Sequence, residues 1–364
     1  MSNPDPWWDI ELESKPDFNE AMKRIYAWYE QAVIDRPPVR FTRHNAEFED
    51  ADNIWKPEWR ELKDKWFDEE YQLDKFMTQV RGKRYQGETF PVFWPNLGPV
   101  VSAAFYDCPI EFGDVTSWSL PLLTDYDHPL RFDWNNPYLK KLESLTRIGL
   151  EHCKGKFLVG YSDLHGGMDV LAALRGTEPL LWDLVDNPDI FSPVLDQITA
   201  DFLRVYDYFD DILKAAGQPS VTWMGVPSFG KMHIPSCDFA FMISSKQFVR
   251  YQLDLNRREM EHMDHNVYHV DGKGVARHID LILGLPKLNA IQWVQGLGVD
   301  TPIMQWVPLI KRIQAAGKSV MVDLTHDELD DFIAAVRPEG ILLTMSSIGE
   351  EEERAILKRV SQWG

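Results

Sequence analysis

Short, almost continuously apolar runs alternate along most of this chain with longer stretches whose apolar residues recur every three or four positions. The runs are TFPVFWPN (89–96), KFLVGYSD (156–163), SVTWMGV (220–226), NVYHVDG (266–272), NAIQWVQG (289–296), SVMVDLT (319–325) and GILLTMS (340–346), with an eighth at PPVRFTRH (37–44). Strands apolar on both sides belong to parallel sheets covered by helices. The intervening segments have the helical period. In 186–217, Asp186 is placed to cap a helix and Gly217 to stop it; 302–317 likewise ends at Gly317.

Eight such runs predict a (β/α)8 TIM barrel. A doubly wound open sheet is the competing arrangement, but no glycine-rich phosphate loop follows any run. The first 85 residues differ in character. Pro16 and Asp17 suit a helix start, and Trp59, Leu62 and Trp66, then Leu73, Phe76 and Val80, keep helical steps. The expectation is a helical arm over 1–85 packed on a barrel over 86–364, the whole forming one structural domain.

Charge narrows the field of partners. With 38 Lys+Arg against 57 Asp+Glu the net charge is −19, which repels nucleic-acid phosphates and anionic membrane surfaces alike. No run has the length of a membrane span, and the acidic N-terminus lacks the pattern of a signal peptide. Cys108, Cys153 and Cys237 form neither a zinc motif nor a disulfide framework, which points to a reducing cytoplasm. Six of the 14 tryptophans (Trp7, Trp8, Trp28, Trp55, Trp59, Trp66) fall in the first 66 residues; they suit a thick aromatic core or the wall of an apolar pocket.

Barrel chemistry sits where strands end. The ends of the runs supply Asn96, Asp163 with His165, Trp223, His269 with Asp271, Gln292 with Trp293, Asp323 with His326, and Ser346 with Ser347. Residues two apart on a strand face the same way, so Asp163–His165 and His269–Asp271 can each enter one pocket. A carboxylate beside an imidazole serves a proton donor or a metal ligand, and it serves a structural hydrogen bond equally well. His233 is a candidate for ligand binding from a loop. His278 suits a structural role, and His326 suits a helix cap. Arg40 and Arg43 can grip a substrate carboxylate or form surface ion pairs.

The segments GYSDLHGGMDVLAALRG, SSKQFVRYQLDLNRREME, HVDGKGVARHIDLILGLPKLNAIQW and VMVDLTHDELDDF resemble the uroporphyrinogen decarboxylase superfamily, over about residues 86 to 362. That superfamily includes zinc- and corrinoid-linked methyltransferases. The likeness is most specific at Asp271-Gly272 followed by Gln292-Trp293. It implies a (β/α)8 barrel, a homodimer and a small-molecule substrate. In the methyltransferase branch a His-x-Cys pair holds zinc; here His269 keeps the first position and Asp271 takes the second. Taken with the two Asp/His pairs at strand ends, this gives His269, Asp271, Asp163 and His165 as the expected catalytic residues. Substrate contacts would fall to Asn96, Trp223, Gln292, Trp293, His233 and Arg43. A divalent metal such as zinc would lie on His269, Asp271 and His326, and a corrinoid protein would accept the methyl group. Decarboxylation of a carboxylated substrate and a non-catalytic ligand-binding barrel are the alternatives.

Overall fold

The computed structural model describes residues 8–43, 46–127 and 130–363. Trp7 and His44 lie outside them. The described residues include ten strands: β1 (Val39–Arg43), β2 (Val92–Phe93), β3 (Ile110–Phe112), β4 (Ser117–Ser119), β5 (Leu158–Val159), β6 (Met232–His233), β7 (His265–Asp271), β8 (Ala290–Val294), β9 (Ser319–Asp323) and β10 (Ile341–Ser347). Six of them form one sheet in the order β1-β10-β9-β8-β7-β6, every neighbour parallel. β2 and β5 form a separate parallel pair, and β3 and β4 an antiparallel hairpin.

The closed eight-stranded ladder expected from the sequence is not continuous, and two local causes account for this. Between β1 and β2, side chains replace strand carbonyls: the Val39 amide donates to the Glu88 carboxylate at 2.7 Å and the Phe41 amide to the Thr89 hydroxyl at 2.8 Å. The run 220–226 is not a strand. Ser220 and Ser228 bridge antiparallel, and the Gly225 amide turns back to the Thr222 carbonyl at 2.9 Å with Gly225 at φ +69°. The sheet edge instead passes to β6, which pairs with His265 and Asn266 of β7. Two single bonds, Glu88 N to Val39 O and Tyr161 N to Val221 O, both 2.8 Å, join the remaining segments.

Alternation along the strands sends Val39, Phe41, Tyr268, Val270, Ile291, Trp293, Val320, Val322, Ile341 and Leu343 into a core beneath the covering helices. Their neighbours Val267, Ala290, Met321 and Leu342 share a different cluster with α1 (Phe18–Tyr29). The buried residues of α1 (Phe18, Ala21, Met22, Ile25, Trp28 and Tyr29) follow helical spacing. Trp28 donates to the Gly340 carbonyl at 3.0 Å just before β10, and Tyr29 stacks on His265 at the start of β7, ring centroids 4.1 Å apart. The helix thus covers the amino-terminal end of the sheet and leaves the carboxyl end for chemistry.

Asp186 does not cap the long helix. It ends the preceding helix, Thr177–Asp186, and the long one starts at Ser192 with Pro193 in its first turn, running to Ala215 before Gly217. No described helix is long and apolar enough to cross a membrane.

Candidate active site

At the carboxyl end of β7, His269 and Asp271 point the same way, as their spacing predicts. Register aligns His269 with Gln292 of β8, and the His269 ring approaches the Gln292 side-chain oxygen, Nδ1 to Oε1 2.7 Å. That oxygen accepts only, so Nδ1 donates to it and Nε2 is left as the ring's ligand atom. Asp238, on the loop after β6, completes a group with His269 and Asp271 whose ligand atoms all lie within 4.8 Å of one another. Two backbone bonds fix the loop: the amides of Asp238 and Phe239 donate to the Asp169 carboxylate at 3.0 and 2.9 Å. Asp169 lies in the first turn of the helix Gly167–Arg175.

Asp163 and His165, from the loop after β5, stand beside this group. His165 Nε2 lies 2.9 Å from Asp163 Oδ1, and its Nδ1 lies 3.0 Å from the Ser236 hydroxyl. Burial works against a charged imidazole here, but Asp163 outweighs it, with Asp169 and Asp238 adding to the effect, and the His165 pKa rises to about 9. Burial likewise opposes ionisation of Asp163. His165 overcomes it with help from His269, and holds Asp163 below the usual carboxylate range. Asp238 moves the other way, to about 6: protein crowding over part of its surface comes first, then repulsion by Asp169 and Asp271, partly offset by His269 and His165. At neutral pH His165 is therefore an imidazolium held against the Asp163 carboxylate. Trp223 stands edge-on to His269, centroids 5.7 Å apart at 83°.

Several expected site residues lie elsewhere. Trp293 cannot share the site with Gln292, because adjacent strand residues face opposite ways; it is fully buried on the helix side, 4.8 Å from the Trp306 ring. His326 is remote from the metal-type group, bonded through Nε2 to the Ser346 carbonyl at 3.1 Å and facing Glu352 at 3.3 Å. Nor does it cap its helix turn; Thr325 and Glu328 form the capping box. Arg43 is taken up by Glu353, 2.6 Å away, which also accepts from Ser347. Asn96 turns its own loop, its oxygen accepting from the Gly98 amide at 2.7 Å. His233 is buried 4.7 Å from the Phe202 ring and 3.7 Å from Glu259. His278 is a core residue stacked on Phe248.

Asp238, Ser236 and Asp169 are absent from the candidates that the sequence supplies. The signal that finds the first two is the rule of strand ends itself. Placing the fourth strand at 220–226 hides the true strand end at His233 and the loop Ile234–Asp238 that follows it.

No protein-family model and no curated protein matches the chain. Among solved structures, a methyltransferase from Methanosarcina mazei is similar, with TM-score 0.60 at 13% identity, covering 94% of this chain and 98% of that one. The two share a fold.

Proposed function

We propose that the protein is a methyltransferase of the uroporphyrinogen decarboxylase superfamily whose interrupted strands complete a (β/α)8 barrel. It takes a methyl group from the heteroatom of a small methylated, aromatic substrate and passes it to a corrinoid on a separate protein. The shared fold with a methyltransferase supports the class. The observation that carries the reading is the meeting of a metal-type group, Asp238, His269 and Asp271, with an imidazole, His165, that stays protonated at neutral pH.

The donor set fits a divalent first-row cation: one imidazole and two carboxylates are hard-to-borderline ligands, and the Gln292 contact orients the imidazole as an outer partner should. It does not reproduce a thiolate site, since Cys108, Cys153 and Cys237 are all buried. Held by Asp238, His269 and Asp271, such a cation would polarise the heteroatom that bears the methyl group.

The remaining work falls to the chain's own side chains. As the acceptor attacks the methyl carbon, the bond to the heteroatom breaks and its electron pair stays on the heteroatom. His165 supplies the proton that neutralises that pair, passing it through the Ser236 hydroxyl on Nδ1. Asp163 keeps the ring oriented and receives the remaining N–H. Trp223 walls the substrate against water next to His269. Decarboxylation of a tetrapyrrole gains no support. Cavities of about 310 and 440 Å³ suit small ligands, and in the larger one a polycarboxylate would meet Asp169 and Asp238.

The test is methylation of free cob(I)alamin by methoxylated aromatic compounds, followed by absorbance. Replacing His269 by Ala is expected to lower the rate by about 100-fold or more with the fold retained. Turnover equal to that of the parent protein rejects the assignment. Metal analysis gives a second readout: about one divalent ion per chain, lost in Asp271→Ala.

A further inference from the structure

Two side chains of the site, His165 and Asp238, also line a cavity of about 440 Å³ whose use the reaction above leaves open. Its walls come from four places, each tied to residues of the site. The helix Gly167–Arg175 supplies Val170 and Ala173. Pro121 stands on the segment after β4; the next two amides, of Leu122 and Leu123, donate to the Leu174 carbonyl, both at 2.9 Å, and clamp that segment to the helix. Pro99 and Ala103 belong to the stretch around the short helix Val101–Ala104, where the Ser102 hydroxyl accepts from the His165 amide at 3.1 Å. The loop after β6 closes the remaining side with Phe239 and Met242, and Asp169 holds it through the amides of Asp238 and Phe239. A cavity fixed at so many points is formed before a ligand arrives, so little ordering has to accompany binding.

Its charge is one-sided. Among the described residues no Lys or Arg lines it, whereas Arg40, Arg43, Lys83 and Arg84 all line the cavity of about 310 Å³. The imidazolium of His165 is matched by Asp163 at 2.9 Å, which leaves the carboxylates of Asp169 and Asp238 to face whatever enters. An acidic ligand would give up water only to meet two like charges, while a neutral ring gives up little. Met242, 44% exposed, offers a flexible thioether that adapts to the edge of a ring.

We propose that this cavity seats the ring of an aryl methyl ether that carries no acidic group, and that Ala173 sets the room available to it. The ether oxygen lies at the floor beside Asp238, and the ring lies against Val170, Ala173 and Met242. The chemistry agrees with this choice. The methyl carbon bonds to cobalt, which passes from Co(I) to Co(III); the carbon–oxygen bond breaks, its electron pair stays on oxygen, and the His165 proton completes a neutral phenol. Ligand and product are both uncharged, so the cavity never sets an anion against Asp169 and Asp238. This seat rests on the methyl-transfer reading and gives its substrate a class, while binding tests it without turnover.

The experiment is calorimetric titration of the full chain with 4-methoxybenzyl alcohol and 4-methoxybenzoate, which share a ring and an ether and differ in charge. The alcohol is expected to bind about tenfold or more tighter than the carboxylate. Ala173→Phe, which grows a ring into the cavity from a half-buried helix position, should weaken the alcohol by about tenfold or more. Lys83→Ala, in the other cavity, should leave its affinity unchanged. The charge comparison needs no variant, so a folding failure of Ala173→Phe does not blunt the test. Equal or tighter binding of the carboxylate overturns the proposal. So does parent affinity in folded Ala173→Phe, an equal loss in Lys83→Ala, or no saturation by the alcohol below about 10 mM. If the alcohol binds through this wall while cobalamin is never methylated, the seat stands and the reaction falls. If folded Ala173→Phe methylates cobalamin at the parent rate, the reaction stands and the seat falls.

Discussion

Raising the pH through 9 should weaken the fold through one side chain, His165. In the folded protein its pKa rises from the usual 6.5 to about 9 because Asp163, 2.9 Å away, outweighs the effect of burial. A pKa raised by folding stabilises the native state fully below the unfolded value and loses that contribution as the pH climbs through the folded one. The window is therefore from about 6.5 to somewhat above 9, and stability falls across it. The distance between the two values corresponds to about 3 kcal/mol. The assay is guanidinium denaturation in steps from about pH 6 to about pH 10, on the parent protein and on His165→Asn. Lysines, tyrosines and cysteines titrate in the same range, so the informative quantity is the difference between the two curves. The parent should lose about 3 kcal/mol more than the variant over this interval. Parallel curves would refute the claim that Asp163 holds His165 as a cation.

Three further outcomes test other parts of the structure. Trp293→Ala should cost about 3 to 5 kcal/mol of stability by denaturant titration, because the fully buried ring packs on Trp306 on the helix side of the sheet. Glu88→Gln should destabilise by about 3 to 5 kcal/mol, since its buried carboxylate holds Arg36 at 2.8 Å, Arg24 at 3.3 Å and the Val39 amide at 2.7 Å; a change below about 1 kcal/mol would contradict this. Gly225→Ala should cost about 1 to 2 kcal/mol in the same titration, because φ is +69° there and the added carbon would crowd Arg40 Nε at 3.1 Å.

The strands most legible in the sequence are those buried on both faces. β7, β8, β9 and β10 each fall within or beside an apolar run, and β1 within the run 37–44. Where proline and glycine punctuate the runs, hydrophobicity misleads. Segment 89–96, with Pro91 and Pro95, yields a strand of two residues, and 220–226 folds on itself around Gly225 and Pro227. The hairpin of β3 and β4 has no apolar run to announce it. Strand ends identify the neighbourhood of Asp163, His165, His269 and Asp271, but not which side chains share a face. The run 289–296 offers Gln292 and Trp293 as a pair, and the pleat separates them. Asp238 is hidden for a different reason. Asp238 follows a strand of two residues, too short to register as an apolar run. Arg40 is indistinguishable from Arg43 in sequence, and only the fold gives Arg43 an acid and leaves Arg40 without one.

Because Trp28 and Tyr29 of α1 plug the amino-terminal edge of the sheet, the helix acts as a fixed base plate. A side chain that reacts at the opposite edge is then braced from below, and changes in the loops that follow the strands need not disturb the floor on which they stand.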